Sequence, residues 1–193
     1  MGRLGKGPGA GAGGRGSDDR DLGPARAAVL GHRRLSVVDL AGGRQPMLRR
    51  RGELTCVITY NGELYNTPEL RSALMARGHA FSSTSDTEVL LKAYMEWGPD
   101  CVERLNGIFA FGIWDDLRQR LFLARDRLGV KPLFYARRGR GLLFGSELKA
   151  LLAHPEIEPV VGAEGLAEVF TVGPARTPGH GVFAGIAELE PGC

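Results

Sequence analysis

The sequence offers no paired cysteines. Cys56, Cys101 and Cys193 are odd in number and widely spaced and form no CxxC pair, which argues against both a disulfide framework and a thiolate zinc site. The four histidines, His32, His79, His154 and His180, are equally scattered, so no metal site is expected. No apolar run reaches the length of a membrane span, and the N-terminus lacks the apolar middle region of a signal peptide. A cytoplasmic location without a membrane partner is the resulting expectation. The first sixteen residues, MGRLGKGPGAGAGGRG, contain no acid, histidine, hydroxyl or thiol. Gly9, Gly11 and Gly14 satisfy GxGxxG, but no apolar strand precedes them and no helix follows to meet a phosphate with its N-terminus. Residues 1–14 are therefore expected to be a disordered or non-native start, and 15–193 one domain.

What is present fits one globular domain with a substantial core: 193 residues, 43% hydrophobic and 24% charged. The net charge of +3 is uneven, with eleven Lys/Arg against four Asp up to Arg51. The run Arg49–Arg51 with Arg44 has no interleaved aromatics of the kind a single-strand platform needs. It reads as a solvated turn, and no nucleic-acid partner is expected.

Ala27–Leu30 and Leu35–Leu40 have strand character, and LTCVITY (Leu54–Tyr60) is rich in β-formers and ends at Asn61-Gly62, a dipeptide suited to a tight turn. Thr67-Pro68 reads as an N-cap with proline at the first helical position, followed by a helix ending at Gly78. A second helix is expected from Ser85 or Asp86 to Gly98, with Val89, Leu90, Ala93, Tyr94 and Trp97 at the 3.6 period of a core face. A short helix over Pro99–Leu105 and an Asn106-Gly107 turn come next. IFAFGIW, RLFLARD, KPLFYAR and GLLFGSE then predict a four-stranded antiparallel meander. Helical stretches at Leu148–Ala153 and Glu164–Phe170 complete an α+β layered sandwich.

Three polar groups stand at the ends of these elements. Arg34 could hold an α-carboxylate with two parallel hydrogen bonds, and Glu63 and Asp86 could hold an α-ammonium. Asn61 with the Gly62 N–H could aim two donors at one oxygen, as an oxyanion hole does. Taken singly, each also has a purely structural explanation as a surface charge, a turn or an N-cap.

Taken together, GHRRLSVVDLAGGRQPM (Gly31–Met47), YNGELYN (Tyr60–Asn66), SDTEVLLKAYMEWG (Ser85–Gly98), LNGIFAFGIWD (Leu105–Asp115), ARDRLGVKPLFY (Ala124–Tyr135) and FGSELKALL (Phe144–Leu152) resemble the glutaminase domain of glutamine-hydrolysing asparagine synthetases, a class II glutamine amidotransferase domain. RGSDD at Arg15–Asp19 resembles the same family's RGPDD. The resemblance implies an N-terminal-nucleophile hydrolase αββα fold, with two antiparallel sheets face to face and helices outside. It implies glutamine as ligand, with Arg34 and the backbone of Leu35, Val37 and Val38 on the carboxylate. Asn61 and Gly62 would form the oxyanion hole, and Glu63 and Asp86 would hold the amino group. In the family an N-terminal cysteine attacks the glutamine amide, a thioester forms, ammonia leaves and water releases glutamate.

The sequence departs from this pattern in two places. The family opens MCGI where this chain has MGRL, so the nucleophile, the first strand and the first helix are expected to be absent and glutamine hydrolysis lost. No SGGxDS-type phosphate loop occurs, so no cofactor is assigned here; ATP and Mg belong to a separate synthetase domain or subunit that amidates aspartate. Full-length relatives are expected to form homodimers. Two alternatives stand beside this reading: a pseudo-amidotransferase that binds glutamine without cleaving it, and a glutaminase domain serving another ammonia acceptor.

Overall fold

The computed structural model describes residues 27–33, 43–171 and 177–193. Its strands form two antiparallel sheets. The first has the order β1 (Met47–Arg51), β2 (Leu54–Leu64), β3 (Gly107–Asp115), β4 (Arg120–Arg125). The second has the order β6 (Gly141–Gly145), β5 (Phe134–Arg138), β7 (Ala187–Glu188). Between β2 and β3 run α1 (Thr67–Met75), α2 (Asp86–Trp97) and a 3₁₀ helix over Gly98–Arg104; α3 (Leu148–Leu152) and α4 (Ala163–Thr171) follow β6.

Alternation along the strands sets the layers. Cys56, Ile58 and Tyr60 of β2 and Phe109, Phe111 and Ile113 of β3 share one face and pack with Leu70, Leu74, Leu90, Leu91 and Tyr94 of α1 and α2. The opposite face carries Thr59, Asn61, Ala110 and Gly112 toward the second sheet. There, a Cβ on Gly112 would come within 2.6 Å of the Phe144 ring, so the glycine leaves room for that ring against the first sheet. Beyond the second sheet, Phe134, Ala136 and Ile186 pack with Leu151 and Ile157.

Several expectations are corrected. The arginine run is not a turn but strand β1, at the edge of the sheet among the described residues. Arg49 and Arg51 share the helix-facing side with buried Met47, and acids on α2 meet them: Arg49 Nε lies 2.9 Å from Glu88 Oε1 and Arg51 Nη1 2.6 Å from Glu96 Oε2. Asn61-Gly62 is not a turn either, because β2 continues through it to Leu64, paired with Ala110 and Phe109. The first helix takes Asn66 rather than Thr67 as its N-cap. Ala27–Leu30 forms no strand, and Leu35–Leu40 lies outside the described residues.

The four-stranded meander is split between the sheets after β4, and Arg125 and Asp126 show why. Asp126 accepts the backbone N–H groups of Phe109, Leu128, Val130 and Lys131 at 2.9–3.2 Å, wrapping the chain into a turn that leaves the first sheet. Burial alone would raise this carboxyl, but those four donors hold it below its ordinary value. The Arg125 guanidinium bonds the carbonyls of Lys131, Leu189 and Gly129 at 2.6–2.7 Å, tying β4 to the segment that carries β7.

Candidate functional site

The site is built at the end of β2. Tyr60 N–H and C=O both turn away from β3 and are met by one side chain: Gln45 Oε1 accepts from Tyr60 N at 2.6 Å, and Gln45 Nε2 donates to Tyr60 O at 3.0 Å. The β1–β2 register pairs Met47 with Ile58, so Gln45 stands at the next rung of the same type, opposite Tyr60. Proline at 46 has no N–H to continue the ladder; the Gln45 amide supplies the missing pair.

One step of the same parity further on, Gly62 also points its N–H away from β3. Its partner Phe109 donates its own N–H to Asp126 Oδ2 at 3.2 Å and its C=O accepts from Asp126 N–H at 2.8 Å, so the Gly62–Phe109 pair is not hydrogen-bonded. The Gly62 N–H thus faces the side of β2 that β1, among the described residues, leaves uncovered beyond Gln45. A Cβ at 62 would collide with the Ile108 carbonyl oxygen and come within 2.7 Å of Phe109 Cα and 2.9 Å of Tyr60 Cε2. Only glycine allows this approach.

Asp86 arrives from the other side, at the first turn of α2. Ser85 is the N-cap, its Oγ accepting from Thr87 N at 3.2 Å. The Asp86 carboxylate shares that N–H through Oδ1 at 2.8 Å and reaches β2 through Oδ2, which accepts from Tyr60 Oη at 2.9 Å and from Leu64 N at 3.3 Å. Burial, and then the adjacent Asp86 charge, push the Tyr60 hydroxyl far above its ordinary value, so it stays a donor at every working pH.

Asn61 occupies the opposite face and lines a cavity of about 190 Å³ between the sheets, with Thr59, Gly112, Leu133, Phe144 and Ser146 among its walls and Val29–His32 at its border. Of the residues expected at a site, Asn61, Gly62, Glu63 and Asp86 are brought to this end of β2, Glu63 with its side chain exposed. Arg34, Leu35, Val37 and Val38 lie outside the described residues. Gln45 and Tyr60 were missed by sequence reasoning, although a glutamine just before proline at the end of a ladder is a readable signal. Among the described residues no helix is long and apolar enough to cross a membrane, and no cluster of His, Cys, Asp and Glu could hold a metal.

None of the three cysteines lines the cavity. Cys56 and Cys101 are buried in the helix-facing core, where burial pushes each thiol up to about 12. Both remain protonated and poorly nucleophilic at neutral pH.

The sequence profile of the glutamine amidotransferase domain matches residues 11–193. The chain belongs to the glutamine amidotransferase domain family. Its fold is the N-terminal-nucleophile hydrolase sandwich of these domains. This amidotransferase domain is similar to Asparagine synthetase [glutamine-hydrolyzing] 3 of Bacillus subtilis (strain 168), 58% identical over 92% of this chain and 29% of that protein. It is 38% identical to Asparagine synthetase B [glutamine-hydrolyzing] of Escherichia coli (strain K12) over 72% of this chain and 24% of that protein. Among solved structures, the allosteric regulatory enzyme of purine biosynthesis matches with a TM-score of 0.50 and 27% identity, covering 57% of this chain and 25% of that one. The chain spans less than a third of the length of these relatives.

Proposed function

We propose that this domain is the glutamine-binding, glutaminase part of an asparagine synthetase, releasing ammonia from glutamine for a synthetase domain that amidates aspartate with ATP. A cytoplasmic location accompanies this reading. The observation that carries it is what the end of β2 gathers along a few residues: an outward-facing Gly62 N–H, the Asp86 carboxylate on the helix-facing side and Asn61 on the cavity side. Asp86 and Glu63 would receive the α-ammonium of glutamine, and Arg34 its α-carboxylate through a two-bonded guanidinium contact. Asn61 and Gly62 would stabilise charge developing on the side-chain carbonyl oxygen. Asparagine as the product is taken from the names of these relatives, and aspartate as the acceptor is part of the proposal.

A second reading is favoured for this chain by the placement of its thiols. With Cys56 and Cys101 in the helix-facing core and no cysteine on the cavity, the described pocket offers binding without an attacking group. Titration calorimetry with L-glutamine and an ammonia-release assay on the 193-residue chain test both readings. Saturable binding that Arg34→Ala weakens at least about tenfold supports the glutamine site. Turnover would favour the hydrolytic reading, and binding without ammonia the second; absence of any glutamine binding would remove both.

A further inference from the structure

Tyr60 connects the two halves of the proposed glutamine site. Its backbone leads directly into Asn61 and Gly62 and is held on both polar groups by Gln45. Its ring lies against Gly62, where the absent side chain makes room for it, and its hydroxyl ends 2.9 Å from Asp86 Oδ2. The Asp86 carboxylate accepts three donors from the described residues: Tyr60 Oη and Leu64 N on Oδ2, and Thr87 N on Oδ1 at 2.8 Å. A carboxylate offers about four acceptor sites, more than these three donors use.

The Thr87 N–H belongs to the first turn of α2, and an aspartate at that position has a competing use. Without a partner on β2, its side chain rotates onto the unpaired N–H groups of the helix start, as capping carboxylates do. The Tyr60 hydroxyl, at 2.9 Å the shorter of the two β2 contacts on Oδ2, opposes that rotation together with the Leu64 N–H at 3.3 Å.

We infer that Tyr60 is a positioning residue for α-ammonium recognition: its hydroxyl holds Asp86 turned toward the end of β2, so that the site selects an α-amino acid over the same molecule without its amino group. The inference rests on the reading of the chain as a glutamine binder.

The test compares two probes by calorimetry on the full 193-residue chain: L-glutamine and glutarate monoamide, which is glutamine lacking the α-amino group. The unaltered chain should prefer glutamine. Tyr60→Phe should reduce that preference about tenfold, roughly 1.4 kcal/mol, by weakening glutamine while leaving glutarate monoamide within about twofold. Asp86→Asn should give the same loss of preference, and adding Tyr60→Phe to it should cost nothing more. Equal weakening of both probes would mark a merely structural role and overturn the inference, as would an unchanged preference. Tyr60→Leu also removes the hydroxyl, and it decides the matter if circular dichroism shows that Tyr60→Phe does not fold. Failure of the unaltered chain to bind glutamine would remove the functional reading and this inference together. Glutamine binding with no effect of either Tyr60 variant would remove only the inference.

Discussion

Arg125 Nη2 lies 3.2 Å from Glu188 Oε1, with each side chain only 6% exposed. This buried ion pair joins the last strand of the first sheet to β7 of the second, and the same guanidinium satisfies three carbonyls. Removing the arginine takes this buried cation from Glu188 and the donors from those three carbonyls.

Arg125→Met is therefore expected to destabilise the domain by about 3–5 kcal/mol, the cost typical of breaking a buried pair by deleting one partner. Arg125→Lys should recover little of it, because a single ammonium cannot reproduce a planar fork with several fixed donors. Urea unfolding of the three proteins measures both statements.

Glu88 is fully buried and receives Arg49 Nε at 2.9 Å, Ser83 Oγ at 2.6 Å and Lys92 Nζ at 3.1 Å, together with the backbone N–H groups of Ser82 and Ser83. Burial would raise its carboxyl, but these donors hold it well below the usual carboxylate range. A carboxyl depressed in the folded state contributes stability that is present above its unfolded value near 4.5 and is lost as pH falls toward the folded value. Unfolding free energy should accordingly drop below about pH 4.5. Glu88→Gln should be less stable at pH 7 by about 3 kcal/mol and show a flatter acid limb, read from denaturant curves between pH 3 and 7.

Gly62→Ala places a methyl group where the Ile108 carbonyl and Phe109 Cα already stand. Separating β2 from β3 there should cost about 1–3 kcal/mol and abolish glutamine binding by displacing the Gly62 N–H. Thermal melting and calorimetry on the same preparation check the pair of effects.

Gln45→Ala leaves the Tyr60 N–H and C=O without their side-chain partner. A loss of about 1–3 kcal/mol follows, and the Tyr60 amide should become one of the faster-exchanging protons of β2 in hydrogen exchange. Gln45→Glu keeps the acceptor for Tyr60 N–H but sets a second oxygen against Tyr60 C=O, so it should restore amide protection only in part.

The helices and most of the strands were readable because their burial repeats with the period of their backbone. The Tyr94 face of α2 and the alternating Phe109, Phe111 and Ile113 of β3 needed no tertiary information. What escaped were segments whose character is supplied by a distant partner. β1 looks like a charged turn until Glu88 and Glu96 from α2 are set against its arginines. Asn61-Gly62 has the composition of a turn, but pairing with Ala110 and Phe109 carries the strand straight through it. The division of the meander depends on how Arg125 and Asp126 gather backbone groups from across the chain, which no local pattern encodes. Asp86 was identifiable as a polar group at a helix start, whereas its orientation depends on Tyr60, twenty-six positions earlier.

The contact of Phe144 with Gly112 divides the cavity's construction between two pieces of chain that can change separately. Thr59 and Asn61 of β2 and Gly112 of β3 form one wall, while part of the opposite wall belongs to β6, where the Phe144 ring faces the bare backbone of Gly112. Exchanging Phe144 for a smaller or larger side chain would alter the depth available to a ligand and leave the polar end of β2 untouched. The architecture thus lets the length of what is accommodated drift under selection while the chemistry that recognises it stays fixed.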